Sequence, residues 1–182
     1  MKVCVDAGHG GKDPGAIGFD PFYVEEETID LAIALELEAA LESIGHWTVM
    51  TRRKDRSLGL SSRANFANRL GADLFVSIHS NAALSPEVEG MEVFHFPGSP
   101  AGRGAATEVL GSMQTAFPDH RSRGVKEANL AVLRLTEMPA ILVETEFLTN
   151  PRQLLFLTHP VHQAQLATAI ATGIDGCFRS AL

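Results

Sequence analysis

The sequence predicts a single α/β domain, a largely parallel sheet sandwiched between helices. Three observations carry that expectation. Short apolar runs alternate with helical stripes along the whole chain, and no internal repeat or low-complexity tract divides its 182 residues. The runs at 2–7, 73–79 and 140–144 are apolar nearly throughout, as strands covered on both faces are. Lys2 to Ala7 reads as the first of these strands, and Gly8 to Tyr23 as a long loop with several glycines, Pro14 and Pro21. From Glu25 to Ile44 a broad helical stripe includes Ile29, Ile33, Leu37 and Leu41 and stops at Gly45. Its first turn holds Glu25-Glu26-Glu27, where the helix dipole favours carboxylates. Trp47 to Thr51 is a second strand, Ser57 to Leu70 a second helix closed by Gly71, and Asp73 to His79 a central strand. Glu89 to Phe96 alternates as a strand does and ends at Pro97-Gly98-Ser99-Pro100. A helix from Gly102 to Phe117, a polar loop through Gly124, and short strands at Leu130 to Leu135 and Ala140 to Glu144 follow. Helices at Pro151 to Leu157 and Pro160 to Phe178 close the chain, the second with proline in its first turn.

Composition excludes several function classes. Hydrophobic residues make 45% and charged residues 20% of the chain, the balance of a globular protein. No run approaches the roughly 18–20 apolar residues of a membrane helix, so membrane insertion is not expected. A net charge of -7 opposes non-specific attraction to nucleic acid or anionic lipid, so recognition must be local. Arg52-Arg53-Lys54-Asp55-Arg56 is the one dense basic cluster and reads as a solvated loop. Cys4 and Cys177 lack CxxC spacing and read as free thiols, Cys4 in the core. The first strand follows Met1 directly, without an export leader.

Two histidines sit where apolar runs break into small residues: His9 in Val5-Asp6-Ala7-Gly8-His9-Gly10-Gly11, and His79 in Leu74-Phe75-Val76-Ser77-Ile78-His79-Ser80-Asn81-Ala82. A strand end holds an imidazole on rigid backbone, and small neighbours leave room for an ion and a substrate. Ala140 to Glu144 delivers a carboxylate in the same way. Strand ends are where ligands gather in such sheets, and the trio fits metal-assisted hydrolysis. A lone histidine there would be read as a hydrogen-bonded structural group; the pairing with Glu144 reverses that. The remaining histidines have plainer readings. His159 and His162 belong to the surface despite their HxxH spacing, His46 and His120 are flanked by turn residues, and His95 faces either the site or solvent. Asn81 orients its loop or donates to a substrate carbonyl. A dinucleotide loop is a rival reading of Gly8-His9-Gly10-Gly11, but Lys12-Asp13-Pro14 and Pro21 interrupt the helix that such a loop must open.

Four ordered motifs now resemble a known family: Asp6-Ala7-Gly8-His9-Gly10-Gly11-Lys12-Asp13-Pro14-Gly15-Ala16; Glu26 five residues before Leu31; Ser77-Ile78-His79-Ser80-Asn81-Ala82; and Leu142-Val143-Glu144-Thr145 with Phe147-Leu148-Thr149-Asn150. With Thr51-Arg52, Ala64-Asn65, Arg123-Gly124-Val125-Lys126 and Val132-Leu133-Arg134, they are similar to the zinc-dependent N-acetylmuramoyl-L-alanine amidases over nearly the whole chain. The resemblance implies a mixed, mostly parallel six-stranded sheet and one Zn2+ ligated by His9, Glu26 and His79. Glu144 would be the catalytic carboxylate, and the amide between N-acetylmuramic acid and L-alanine of peptidoglycan would be the bond cut. Two departures stand out. Glu27 replaces a basic residue, so Glu25, Glu26 and Glu27 are told apart only by the interval to Leu31. Glu146 replaces a small residue; it reads as a water-exposed loop carboxylate, or shares a face with Glu144 if the strand continues.

At 182 residues the chain has length for one ordinary domain, so a catalytic domain over residues 1–182 without a separate cell-wall-binding domain is expected. The resemblance implies action on the cell wall, and the missing leader suggests a phage or prophage lysin or a trimmed secreted enzyme. The alternative is a non-catalytic peptidoglycan-binding or regulatory module that keeps the fold, which would have no need of His9, His79 and Glu144. The stretch from Ala82 to Glu144 has room for two or three strands and one helix but not for an inserted plug, so constitutive activity is expected. The oligomeric state is not legible in the sequence.

Overall fold

A computed structural model describes residues 1–179. The strands are β1 (Lys2–Ala7), β2 (Ile17–Gly18), β3 (Val24–Glu25), β4 (Trp47–Met50), β5 (Leu74–Asn81), β6 (Met91–His95), β7 (Ser122–Glu127) and β8 (Ala140–Phe147). The helices are α1 (Glu26–Ser43), α2 (Leu60–Leu70), α3 (Pro100–Ala116), α4 (Ala131–Arg134), α5 (Pro151–Thr158) and α6 (Pro160–Arg179). Six strands form one sheet in the order β4-β1-β5-β8-β6-β7, and β2 pairs with β3 in a small ribbon. All neighbours in the large sheet run parallel except β6 and β8. The expected mixed, mostly parallel α/β sandwich is therefore present.

The sheet buries two unequal faces. Val3, Val5, Val76, Ile78, Ile141 and Val143 point to one side, against α1, α3 and α6, in the larger core. Cys4, Phe75, Ala140 and Leu142 point to the other, against Ala67 of α2 and Val132 and Leu133 of α4. This alternation explains why the central strands read as unbroken apolar runs: each residue is buried, on one face or the other. Cys4 and Cys177 are free thiols, and burial pushes the Cys4 thiol up to about 12.

Two expectations near the carboxyl end need correction. Residues 122–127, read as polar loop and connection, form edge strand β7 beside β6. They are mostly half-buried, so no apolar run marks them. Residues 130–135, read as a strand, contain the single helical turn α4, in which the Leu133 and Arg134 amides both donate to the Leu130 carbonyl. Adjacent Val132 and Leu133 are both buried, as a turn of helix lying flat on a neighbour allows.

Candidate metal centre

His9 follows β1, His79 lies in the last turn of β5's pleat, and Glu144 lies on β8 directly opposite His79 in register. The parallel pairing of β1, β5 and β8 thus delivers three chemically active side chains to one end of the sheet. Glu26 arrives from the first turn of α1. Two of the amides that a helix start leaves unpaired, those of Glu26 and Glu27, donate to the Ala16 and Pro14 carbonyls, so the glycine-rich loop and the helix hold one another. The Ala16 amide in turn donates to Glu26 Oε2 at 2.8 Å.

The remaining Glu26 oxygen, Oε1, lies 3.2 Å from His9 Nε2 and 3.0 Å from His79 Nδ1. Ligand atoms around a tetrahedral ion stand about 3.3 Å apart, given ion-to-ligand distances near 2.0–2.1 Å. His9, Glu26 and His79 therefore present a donor set of the right kind and spacing for one divalent ion. Asp30 joins the group, with ligand atoms of all four residues within 4.8 Å of one another. Asp30 is fully buried, and its Oδ2 has no hydrogen-bond partner and lies 3.8 Å from His79 Nδ1. An orphaned carboxylate oxygen in the interior is costly, and a cation beside it removes the cost. Burial, with Glu26 and Glu144 adding to it, pushes the Asp30 carboxyl well above the usual range.

The geometry also separates three neighbouring glutamates. Glu25 accepts from the Tyr23 hydroxyl and Glu27 pairs with Arg52, leaving Glu26 alone to face the histidines. Glu25 is still extended at the end of β3, and helical rotation of about 100° per residue turns Glu27 away from Glu26. Burial works against ionisation of Glu26, but contacts with His79 and His9 outweigh it and hold the carboxyl well below the ordinary range. For His9, burial opposes the cation, while Glu26 and Asp13 overcome it and raise the imidazole to about 8. His9 Nδ1 lies 3.0 Å from Asp13 Oδ2, which fixes the tautomer with its lone pair on Nε2, toward Glu26.

Glycine is required at two points in this shell. A Cβ on Gly8 would come within 2.4 Å of His79 Cε1 and 2.6 Å of Asp30 Oδ2. One on Gly15, at φ +69°, would meet Glu26 Oε2 at 2.5 Å and His9 Cδ2 at 2.8 Å. His9 itself adopts φ +55°, an unfavourable conformation for a side-chain-bearing residue. Two buried arginines hold it there. Arg52 donates to the Ala7, Gly8 and Glu27 carbonyls, and Arg63 donates to Asp6, Ala7 and His9. Arg52, read from the sequence as part of a solvated loop, is 1% exposed. Its charge is satisfied by main-chain oxygens together with the Glu27 carboxylate, a pairing that no local pattern announces.

Glu144 has a different environment. Its Oε2 is sealed from solvent without a hydrogen-bond partner among the described residues. Burial raises its carboxyl to about 7, with Glu26 and Glu92 adding to the effect and His79 opposing it. A groove of about 440 Å³ runs from His9, His79 and Asp13 between Leu58, Leu130 and Val132. Glu146 is not the exposed loop carboxylate expected. The strand continues to Phe147, and β8 gains an extra residue opposite the His79–Asn81 step of β5. That bulge re-aims Glu146 away from Glu144. Glu146 is fully buried, accepts from the Gly90 and Phe147 amides, and lies 3.0 Å from His120 Nδ1. His120, read as a turn residue, is thus a structural partner of β8. His95 is buried with Nδ1 on the Phe96 carbonyl, outside the site, and exposed His159 stacks near His162 on the surface as expected. Asn81 orients rather than reaches outward: its amide donates to Glu92 Oε1. The dinucleotide reading fails, since turns and the β2–β3 ribbon separate β1 from α1.

Known proteins share this fold. The chain is similar to the solved N-acetylmuramoyl-L-alanine amidase from Clostridium difficile 630, with 32% identity, TM-score 0.95, and 98% of this chain and 97% of that one covered. It is similar to amidase AmiC2 of Nostoc punctiforme, with 36% identity, TM-score 0.92 and coverage of 98% and 97%. Among curated relatives, N-acetylmuramoyl-L-alanine amidase AmiC of Neisseria meningitidis serogroup B is 34% identical over 216 residues, covering 95% of this chain. The chain spans 51% of that relative's length. Residues 3–176 match the Amidase_3 family, described as N-acetylmuramoyl-L-alanine amidase. The chain belongs to this amidase family.

Proposed function

We propose that the chain is a zinc-dependent peptidoglycan hydrolase, cutting the amide between the lactyl group of N-acetylmuramic acid and the first L-alanine of the stem peptide. The observation that carries this reading is the convergence of His9 Nε2, Glu26 Oε1 and His79 Nδ1 beside a carboxylate, Glu144, whose buried oxygen has no hydrogen-bond partner among the described residues. Those three donors would hold the ion. When bound, zinc supplies Lewis acidity for the amide carbonyl and brings the pKa of a water toward about 7. Glu144 accepts the proton of the attacking water and returns it to the departing alanine amine. A carboxyl held near 7 by burial suits both halves of that exchange. Asp13 keeps His9 in the required tautomer, and the Arg52 and Arg63 bonds keep its backbone in place.

The cleft supports turnover without an activator. Between β5 and β8 this chain has only β6, α3, β7 and α4. In this reading the cell wall is where the chain acts, as a lysin or as an autolysin, and both roles need the same bond broken. Purified peptidoglycan digested with and without a chelator tests the proposal. Newly freed alanine amino groups, without new reducing sugar ends and only in the absence of chelator, are expected. Release of sugar ends alone, or none of either, would contradict it.

A further inference from the structure

Glu92 is the Cα partner of Glu144 across β6 and β8, so the two carboxylates face the same side of the sheet. Like charges placed so are unfavourable. The chain answers with more positive charge than Glu92 alone requires. Glu92 Oε2 accepts from Arg123 Nε at 2.8 Å and also from Lys126 Nζ, while its Oε1 takes the Asn81 amide at 2.7 Å. Glu92 with its two cations carries one positive charge of its own beside Glu144, in a chain whose net charge is -7.

That charge is held in a fixed place. Arg123 is anchored by its Nε bond, its guanidinium lies 4.9 Å over the Phe147 ring, and its stem packs where a Gly90 Cβ would stand, 2.8 Å from Cγ. Its Nη1 and Nη2 groups make no hydrogen bond among the described residues, and its side chain is 27% exposed. Lys126, 37% exposed, lies over Phe94 on the same face. A guanidinium locked by stacking, with its outer nitrogens unspent, is pre-organised to receive a second carboxylate.

We propose that Arg123 and Lys126, mounted on Glu92, form an anion subsite that binds a carboxylate of the acidic stem peptide. The inference rests on the amidase reading and deepens it, because it gives the substrate a direction. The peptide runs from Glu144 over β6 and β7, and the neutral glycan lies toward the apolar groove of Leu58, Leu130 and Val132. Arg123 and Lys126 are positioning residues, acting on substrate charge and not on the bond that breaks.

The test is calorimetric binding to the zinc-loaded Glu144→Gln protein, which cannot consume its ligand. The paired probes are N-acetylmuramoyl-L-alanyl-D-glutamate with its γ-carboxyl capped as the methylamide, and the same compound with its remaining α-carboxylate converted to carboxamide. The acid is expected to bind about 10- to 100-fold tighter than the amide, the worth of a charge-assisted bond of about 1.5–3 kcal/mol. Adding Arg123→Gln should reduce that ratio to near one, Arg123→Lys should keep part of it, and Lys126→Gln should lower it with the Arg123 anchor intact. The ratio of the two affinities is the readout, because a purely structural role would weaken both probes alike. Equal binding of acid and amide, or a ratio untouched by Arg123→Gln and Lys126→Gln, would overturn the subsite alone. Binding of neither probe would overturn it together with the amidase reading.

Discussion

Glu144 and Glu146 stand two residues apart on one strand, the first half-buried and the second fully buried, and their surroundings differ sharply. Glu146 has two amides and an imidazole on its oxygens. Glu144 has a buried oxygen with no hydrogen-bond partner among the described residues. A carboxylate saturated with donors is part of the framework, whereas one with a sealed, unsatisfied oxygen is poised to take a proton. The bulge that separates the faces of the two residues makes the contrast possible. Without it, alternation along β8 would stack them on one side.

The largest break in the contrast is expected from Glu144→Gln. Turnover of peptidoglycan should fall by about 10²- to 10⁴-fold, the usual worth of a general acid–base group. Zinc content and thermal midpoint should stay near those of the parent. Substantial activity in that variant would assign the proton transfer elsewhere. Asp13→Asn falls between the two cases, because Asp13 is a carboxylate whose partner is itself a candidate ligand. Zinc affinity, measured by chelator competition, should weaken by about 10- to 100-fold, as for other groups that orient a ligating imidazole. An unchanged affinity would show that the His9 tautomer needs no help.

Glu146→Gln is expected to act on stability instead. Losing charge-assisted bonds to Gly90, Phe147 and His120 should cost about 1.5–3 kcal/mol in denaturant unfolding, while the folded protein keeps its kcat. A variant that loses activity but not stability would erase the distinction between the two glutamates. The mildest effect is one of pH. With metal removed, His9 is protonated below about 8, since the carboxylates of Glu26 and Asp13 raise it against the opposing effect of burial. Zinc must displace that proton, so apparent affinity should rise about tenfold from pH 6 to 7 and flatten above 8. A flat profile over that range would mean that His9 is already neutral when the ion arrives.

Much of this was legible in the sequence. The strands that carry His9, His79 and Glu144 are buried on both faces, and a run of valine, isoleucine and leucine ending in small residues says so locally. Glu26 was separable from its neighbours only through its interval to Leu31, and the reason is geometric: Tyr23 and Arg52 occupy the other two glutamates. What was not legible depends on contacts between distant segments. Edge strand β7 is half-buried and polar, so its pattern resembles a loop. Arg52 lies in a basic run that looks solvated, yet its partners are carbonyls of residues 7, 8 and 27. Glu146 was misread because a bulge is set by the pairing of two strands and leaves no mark on one of them.

The account depends on one ion held by side chains from β1, α1 and β5 beside the unsatisfied Glu144. Metal analysis of the purified native protein and two variants tests that most directly. One zinc per chain is expected in the parent and in Glu144→Gln, and little or none in His79→Ala. A native protein that cleaves peptidoglycan without bound metal, or a His79→Ala variant that keeps its full complement of zinc, would contradict the account.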